Sequence, residues 1–311
     1  MVAQLFCRES PGDELMQAGT EHRPLTTTLA FAALVAGAVA MGASPIFVRH
    51  ADVGPFASAF WRVALALPVL VVWAAIERLL AGRTDFRISL TPAVLLSGLF
   101  FAGDLSFWHL AILNTTVANA TFMACLAPVW VLILSGMFIG EQVSRRSFIG
   151  LVVCLVGAGL LVGSSYSTDP SRLIGDFFGL VTSLFFGLYF LALRVARRTL
   201  RSGELSFAST LVTALALFVV ALVSGNTLLP ASREGMLALA SLGFVSQAGG
   251  QGLLAVALGT LSAVFSSLVI FIEAIAAAFF GWLLFSESMG PLQLAGAGLI
   301  LGGIWLARPS Q

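Results

Sequence analysis

Four side chains stand where a bilayer-spanning helix should reject them: Arg62, Asp104, His109 and Glu273, each inside a long apolar run. A charge at the centre of such a helix costs about 2.5–3.5 kcal/mol on insertion scales, so these groups are expected to face a partner or a water-filled cavity. The chemistry they offer is binding rather than bond breaking. A guanidinium can clamp a carboxylate, a carboxylate can hold an ammonium, and a carboxyl near the midplane, as at Glu273, is a candidate proton carrier. His109, close to one end of its run, reads as an interfacial structural residue.

Uncharged groups extend the set with Asn119 and Thr121 in the first half of the chain and Gln247, Gln251, Ser266 and Ser267 in the second. Asp104 and Trp108 are four apart and share a helical face, as do Gln247 and Gln251. Among the aromatic residues, Trp108 and Tyr189 are the candidates to line a site. For every polar residue in the set, interhelical hydrogen bonding without solute contact is the alternative role. Arg62 lies six residues into its run and Asp104 eight residues from the corresponding end of the next. At about 1.5 Å per residue both sit roughly 9–12 Å below the same surface. An Arg62–Asp104 pair is therefore expected, as a static brace, as a binder of a zwitterionic or anionic solute, or as part of an outer gate.

The elements that must position these groups follow from composition. Hydrophobic residues make up 59% of the 311 and charged ones 10%, with a mean hydropathy of +0.99. That is a membrane protein, all-α because each apolar run must satisfy its own backbone. Ten runs are long enough to span, near 29–48, 56–76, 91–112, 116–139, 148–165, 174–193, 205–225, 235–257, 262–285 and 291–308. The polar stretch before them, 1–28, reads as a disordered cytoplasmic tail. A net charge of +1 argues against a nucleic-acid partner. Cys7, Cys125 and Cys154 have neither metal-ligand nor disulfide spacing.

The chain is also duplicated. At one fixed offset Ala111 matches Ala257, Thr116 Ser262, Thr121 Ser267, Glu141 Glu287, Gly150 Gly296 and Gly157 Gly303. Earlier in each half a register one residue shorter sets Gly42 opposite Gly187, Ser44 opposite Tyr189 and Arg49 opposite Arg194. Five spans per repeat (29–165 and 166–308) is an odd number, so the repeats enter the membrane from opposite faces and are inverted. With the amino terminus inside, twelve arginines fall in inner segments and three in outer ones, so both termini are expected to be cytoplasmic. Glycines 150, 157, 159 and 163 in the fifth span and 296, 298, 302 and 303 in the tenth suit close packing against a neighbour or a second copy in a homodimer. Glu141 and Glu287, at the ends of spans four and nine, are each expected to serve the amino end of the helix that follows.

These residues, LNTTVANATF…AP at span four, Glu141 and Gly150 after it, and ALGTLSAVFSSL…E…E with Gly296 in the second half, resemble the EamA type of the drug/metabolite transporter superfamily over about residues 30–308. The resemblance implies a ten-helix carrier of the bacterial inner membrane, with a cavity between the repeats, moving small polar or amphipathic solutes, often outward. One departure stands out. Many second repeats in that family carry proline after the span-nine acid, and here Glu273 is followed by Ala274, which removes an expected kink.

Three function classes are weighed. The first is a secondary carrier working by alternating access. It is read as an exporter of a small metabolite such as an amino acid, with an importer of a vitamin- or nucleobase-like solute as its alternative. The others are a membrane-embedded enzyme and a non-transporting scaffold. Neither HExxH nor GxSxG with matched partners nor a metal-ligand cluster is present, so no enzyme, cofactor or metal is expected. A scaffold would leave Asp104 and Glu273 unexplained.

Overall fold

A computed structural model describes residues 25–83, 88–163, 172–225, 227–285 and 290–308. The tail that carries Cys7, and also Arg87 and Glu287, lies outside them. The described chain forms ten apolar helical spans: α1 (Thr27–His50), α2 (Pro55–Leu80), α3 (Pro92–Asn114), α4 (Asn119–Phe138), α5 (Arg145–Val162), α6 (Leu173–Ala196), α7 (Ser202–Val223), α8 (Arg233–Ala257), α9 (Ala263–Leu284) and α10 (Pro291–Ala307). The shortest, α10, has 17 residues, at the lower limit for crossing the hydrocarbon. Local sequence sets the starts. Thr91, Thr116, Ser144, Ser232 and Ser262 each accept a hydrogen bond from a backbone N–H in the first turn of the helix that follows, and proline opens α2, α3 and α10. Thr116 and Ser262, matched by the repeat, make the same cap.

The packing obeys the repeat. Spans α3 and α6 pack together as do α8 and α1; α4 packs on α6 as α9 does on α1; α7 packs on α3 as α2 does on α8; and α5–α10, α2–α7 and α4–α9 pair across the pseudo-twofold itself. The glycines give this to the ångström. A Cβ on Gly42 would stand 2.6 Å from Ala276 Cβ and 2.8 Å from Glu273 O, and one on Gly187 would stand 2.9 Å from Trp130 Cβ and 3.1 Å from Ala127 O. These are the same two contacts exchanged between repeats, so both sequence registers hold in space. Gly150 lies against Gly303 and Gly157 against Gly296, each with a hypothetical Cβ 2.7 Å from the opposing carbonyl oxygen. Because numbering rises along α5 as it falls along α10, the two helices run antiparallel, as inversion requires.

Not every glycine in that stripe packs. Gly298 and Gly302 have nothing within 4 Å of a hypothetical Cβ, and Gly159 meets only Phe122 at 3.8 Å. Seven residues separate the packed pairs, close to two helical turns, whereas 298 and 302 lie on another face. Outward-facing side chains such as Leu80 and Val223, each 83% exposed, suit hydrocarbon rather than water.

Five spans depart from a straight α-helix. Proline accompanies three of the breaks, the first two at Ala43 ahead of Pro45 and at Leu65–Ala66 ahead of Pro68. Span α4 breaks at Cys125–Leu126 ahead of Pro128, and α9 breaks at Ile270, one residue before the matched position, although Ala274 stands where Pro128 does. The expectation that losing proline removes the kink is therefore corrected. A tight turn, in which Glu273 N donates to Ile270 O at 2.8 Å, holds the break, and Gly42 packs on the Glu273 carbonyl. Residues 242–251 of α8 form a π-helix that no sequence signal announced.

Candidate functional site

A cavity opens where α1, α2, α3, α4, α6, α8 and α9 meet. Of the residues singled out by sequence, Arg62, Asp104, Trp108, Gln251 and Glu273 line it, together with Thr121 and Ser267. Asp104 and Trp108 share the face that their spacing demands. Arg62 and Asp104 are almost wholly enclosed, at 6% and 7% exposure.

Arg62 does not pair with Asp104. Its Nε donates to Gln247 Oε1 at 3.4 Å, Gln247 Nε2 donates to Thr210 Oγ1 at 3.4 Å, and the guanidinium lies 6.0 Å from the Phe101 ring centroid. Arg62, Asp104 and Glu273 nonetheless line the same cavity. The rotation of α2 decides the partner, turning the side chain toward α8. Among the described residues the carboxyl groups of Asp104 and Glu273 make no hydrogen bond or ion pair. Two hydroxyls bordering the cavity, Ser44 Oγ and Thr182 Oγ1, are likewise buried with no hydrogen-bond partner there. Ser44, Asp104 and Thr182 are buried and Glu273 is half-buried, and all four border the same cavity.

Four candidates do not line the cavity, Ser266 among them. Gln247 lies behind Arg62 and does not line the cavity, although Gln251, four residues on, does. Tyr189 is packed between Phe101, at 4.7 Å, and Phe186, at 6.1 Å, and its hydroxyl donates to Gln251 Oε1 at 3.2 Å. It fixes the orientation of a lining residue. Asn119 is fully buried in a knot at one end of the bundle: its Nδ2 and the Thr115 hydroxyl both donate to Asp176 Oδ1, at 3.0 and 2.8 Å. His109 donates from Nδ1 to Leu105 O at 2.6 Å and lies outside the cavity, as its structural reading expected.

Met41, Cys125, Phe186 and Phe190 also line the cavity and were not singled out by sequence. The repeat register could have found them. Phe186 matches Met41, Phe190 matches Pro45, and Phe271 matches Cys125, and both members of each pair line the cavity. The lining is partly symmetric in position and asymmetric in chemistry. Asp104 faces Gly250 across the repeat, Glu273 faces Ala127, and Gln251 faces Leu105.

One end of the bundle, where α1, α5 and α9 start, is bolted. Arg194 Nε donates to Glu141 Oε1 at 3.0 Å, while Glu141 Oε2 accepts from Ala263 N at 2.9 Å and Val264 N at 3.4 Å. Arg194 Nη1 also reaches Leu258 O at 2.6 Å, and Arg198 Nη2 reaches Ile139 O at 2.7 Å. Glu141 thus caps α9, not the following helix α5 as expected. The pseudo-twofold brings the start of α9 to the end of α4, and the positive end of a helix attracts the nearest carboxylate in space. At the same end Arg78 pairs with Glu204 at 2.6 Å, joining α2 to α7.

A model of the EamA-like transporter family matches residues 28–163 and again 173–308. An uncharacterized transporter of Archaeoglobus fulgidus is 26% identical over 277 residues, covering 89% of this chain and 95% of that protein. A pseudopaline exporter of Pseudomonas aeruginosa is 28% identical over 211 residues, 68% of this chain and 72% of that one. A crystal structure titled only as that of a protein superposes with a TM-score of 0.77 at 16% identity, covering 91% of this chain and 96% of the other, a likeness of fold alone.

Proposed function

The chain belongs to the EamA-like transporter family, and we propose that it is a secondary-active carrier that exports a small amino-acid-like metabolite by alternating access. That it is a multi-pass membrane transporter follows from the family and the spans. Solute and mechanism are our reading. The observation that carries it is the cavity's set of unspent groups: Asp104 and Glu273 without partners, Arg62 held only by an amide, and the idle hydroxyls of Ser44 and Thr182. One cation and two anions around one space suit a zwitterion whose carboxylate meets Arg62 and whose ammonium meets Asp104 or Glu273. Export is favoured by the pseudopaline exporter among the relatives.

Alternating access needs an end that can close. The Glu141–Arg194 bolt closes the end where α1 starts, while Trp108, Thr121 and Thr182 place the cavity toward the other end. Arginine placement makes the bolted end cytoplasmic and leaves both termini inside a bacterial inner membrane. Glu273 is the group we assign to proton coupling.

The test is a metabolite profile of medium and cytosol from cells with and without the gene, together with tolerance to toxic amino-acid analogues. A gene-dependent change in an amino-acid-like solute, lost in Asp104→Asn and Glu273→Gln, is expected. No change for any solute would sink the reading. Aromatic walls at Trp108, Phe186 and Phe190 favour one alternative, import of a flat vitamin- or nucleobase-like solute, which uptake in the same strains would reveal.

A further inference from the structure

A second concavity, lined by residues other than those of the carrier cavity, runs along α1, α9 and α10 from the bolted end toward mid-membrane. Its floor and walls are Phe31, Phe265, Ile272, Leu301 and Ile304, with Phe31 and Phe265 stacked at 6.0 Å. Two arginines close its outer rim: Arg146 at the start of α5, and Arg308, whose guanidinium lies 4.9 Å over the Trp305 ring. Among the described residues neither arginine is in an ion pair. Leu301 and Trp305 remain 54% and 63% exposed, so the groove opens sideways toward lipid.

The repeat supplies an internal control. In the two registers established above, Phe31 corresponds to Asp176, Phe265 to Asn119 and Leu261 to Thr115. At the opposite end those three positions form the hydrogen-bonded knot that seals α4 to α6. Here the same positions are apolar and line an open groove. The rim diverges too, since Arg146 corresponds to Leu292 and Arg308 to Val162. The fold therefore demands neither the apolar lining nor the two cations, because its other copy is built without them.

We propose that this groove is a binding site for one anionic phospholipid, its phosphate between Arg146 and Arg308 and an acyl chain along Phe31, Phe265 and Ile304. An apolar slot ending at the membrane boundary in two arginines that form no ion pair with a described residue matches an amphiphile with one negative headgroup, and a zwitterionic lipid would bring its own cation against them. With the orientation proposed above, the lipid comes from the cytoplasmic leaflet.

The test is native mass spectrometry of the purified full chain in detergent, titrated with phosphatidylglycerol or phosphatidylcholine of matched chains. Phosphatidylglycerol is expected to bind first and as a single tight adduct. Each arginine beside an anionic headgroup is worth about fivefold, so Arg146→Gln with Arg308→Gln should weaken that adduct about 25-fold. The double lysine variant should retain it. Arg145→Gln with Arg83→Gln, the same charge change off the groove, should leave it alone. Both arginines are exposed, and unchanged melting temperatures will show that the variants fold. Equal affinity for the two lipids, an equal loss in the off-groove control, no loss in the double glutamine variant as when the chain's own tail fills the groove, or displacement by millimolar inorganic phosphate would each overturn the proposal.

Discussion

Replacing Glu141 by alanine removes the one side chain that ties the end of α4 to the start of α9 and to Arg194 on α6. The lost cap is worth about 1 kcal/mol. The charge-assisted bond to Arg194 is worth about 1.5–3 kcal/mol when enclosed, and the side chains here are 24% and 16% exposed, so the lower part of that range applies. Together that is roughly 2–3 kcal/mol. If these contacts exist only while this end is closed, the whole amount falls on the open–closed equilibrium. Tenfold per 1.4 kcal/mol then gives a shift of about 30-fold or more. Cys125 lines the cavity and reports the shift. With Cys7 and Cys154 changed to serine, its reaction with an impermeant thiol reagent is measured in right-side-out and inverted vesicles. Glu141→Ala should raise the rate from the face where α1 starts and lower it from the opposite face. Arg194→Ala should act the same way, and the double variant should add little, because one contact is being removed twice. If the melting temperature falls but both labelling rates stay as they were, the contact is a static brace and the gating argument fails.

Gly157→Val should cost about 1–3 kcal/mol, seen as a lower melting temperature in detergent, because a Cβ there lies 2.7 Å from Gly296 O and 2.9 Å from Ile300 N, both backbone atoms. Gly298→Ala, with nothing within 4 Å, should be neutral or slightly stabilising, and equal losses at the two sites would refute the packing account. Exchanging charges in Arg62→Asp with Asp104→Arg should not restore transport, since Arg62 is held by Gln247; recovery to wild-type rates would show a simple ion pair after all. Asp52, in the connection between α1 and α2, has its carboxyl held below the ordinary value by the Ser232 hydroxyl and by N–H groups of Ala231 and Ser232. A depressed folded value means that its stabilisation is present above the unfolded value, about 3.9, and is lost as pH falls through the folded one. Asp52→Asn should therefore lower the melting temperature at pH 6 and narrow its gap to wild type below about pH 4. A gap that does not change with pH would assign the effect to lost packing.

The sequence by itself determined the solvent, the ten spans, the duplication and its inversion. Each of these is carried by linear information: apolar run length, the parity of five crossings, and a residue register that Gly42 and Gly187 reproduce as matched contacts in space. It also placed Arg62 and Asp104 at a common depth, because helical rise is nearly invariant. Tertiary structure alone decided what each side chain meets. Depth is one coordinate of three, and the rotation of α2 sends Arg62 to Gln247. Glu141 serves α9 because the pseudo-twofold brings a helix far along the chain closer than the next one. The break at Ile270 persists without proline because a tight backbone turn and Gly42 hold it, and of two glutamines four apart on α8 the bundle gives Gln251 to the cavity and Gln247 to Arg62. Asn119 and Tyr189, polar residues in apolar runs like Asp104, are spent on neighbouring helices, and only the packed bundle distinguishes a group already satisfied from one left facing the cavity.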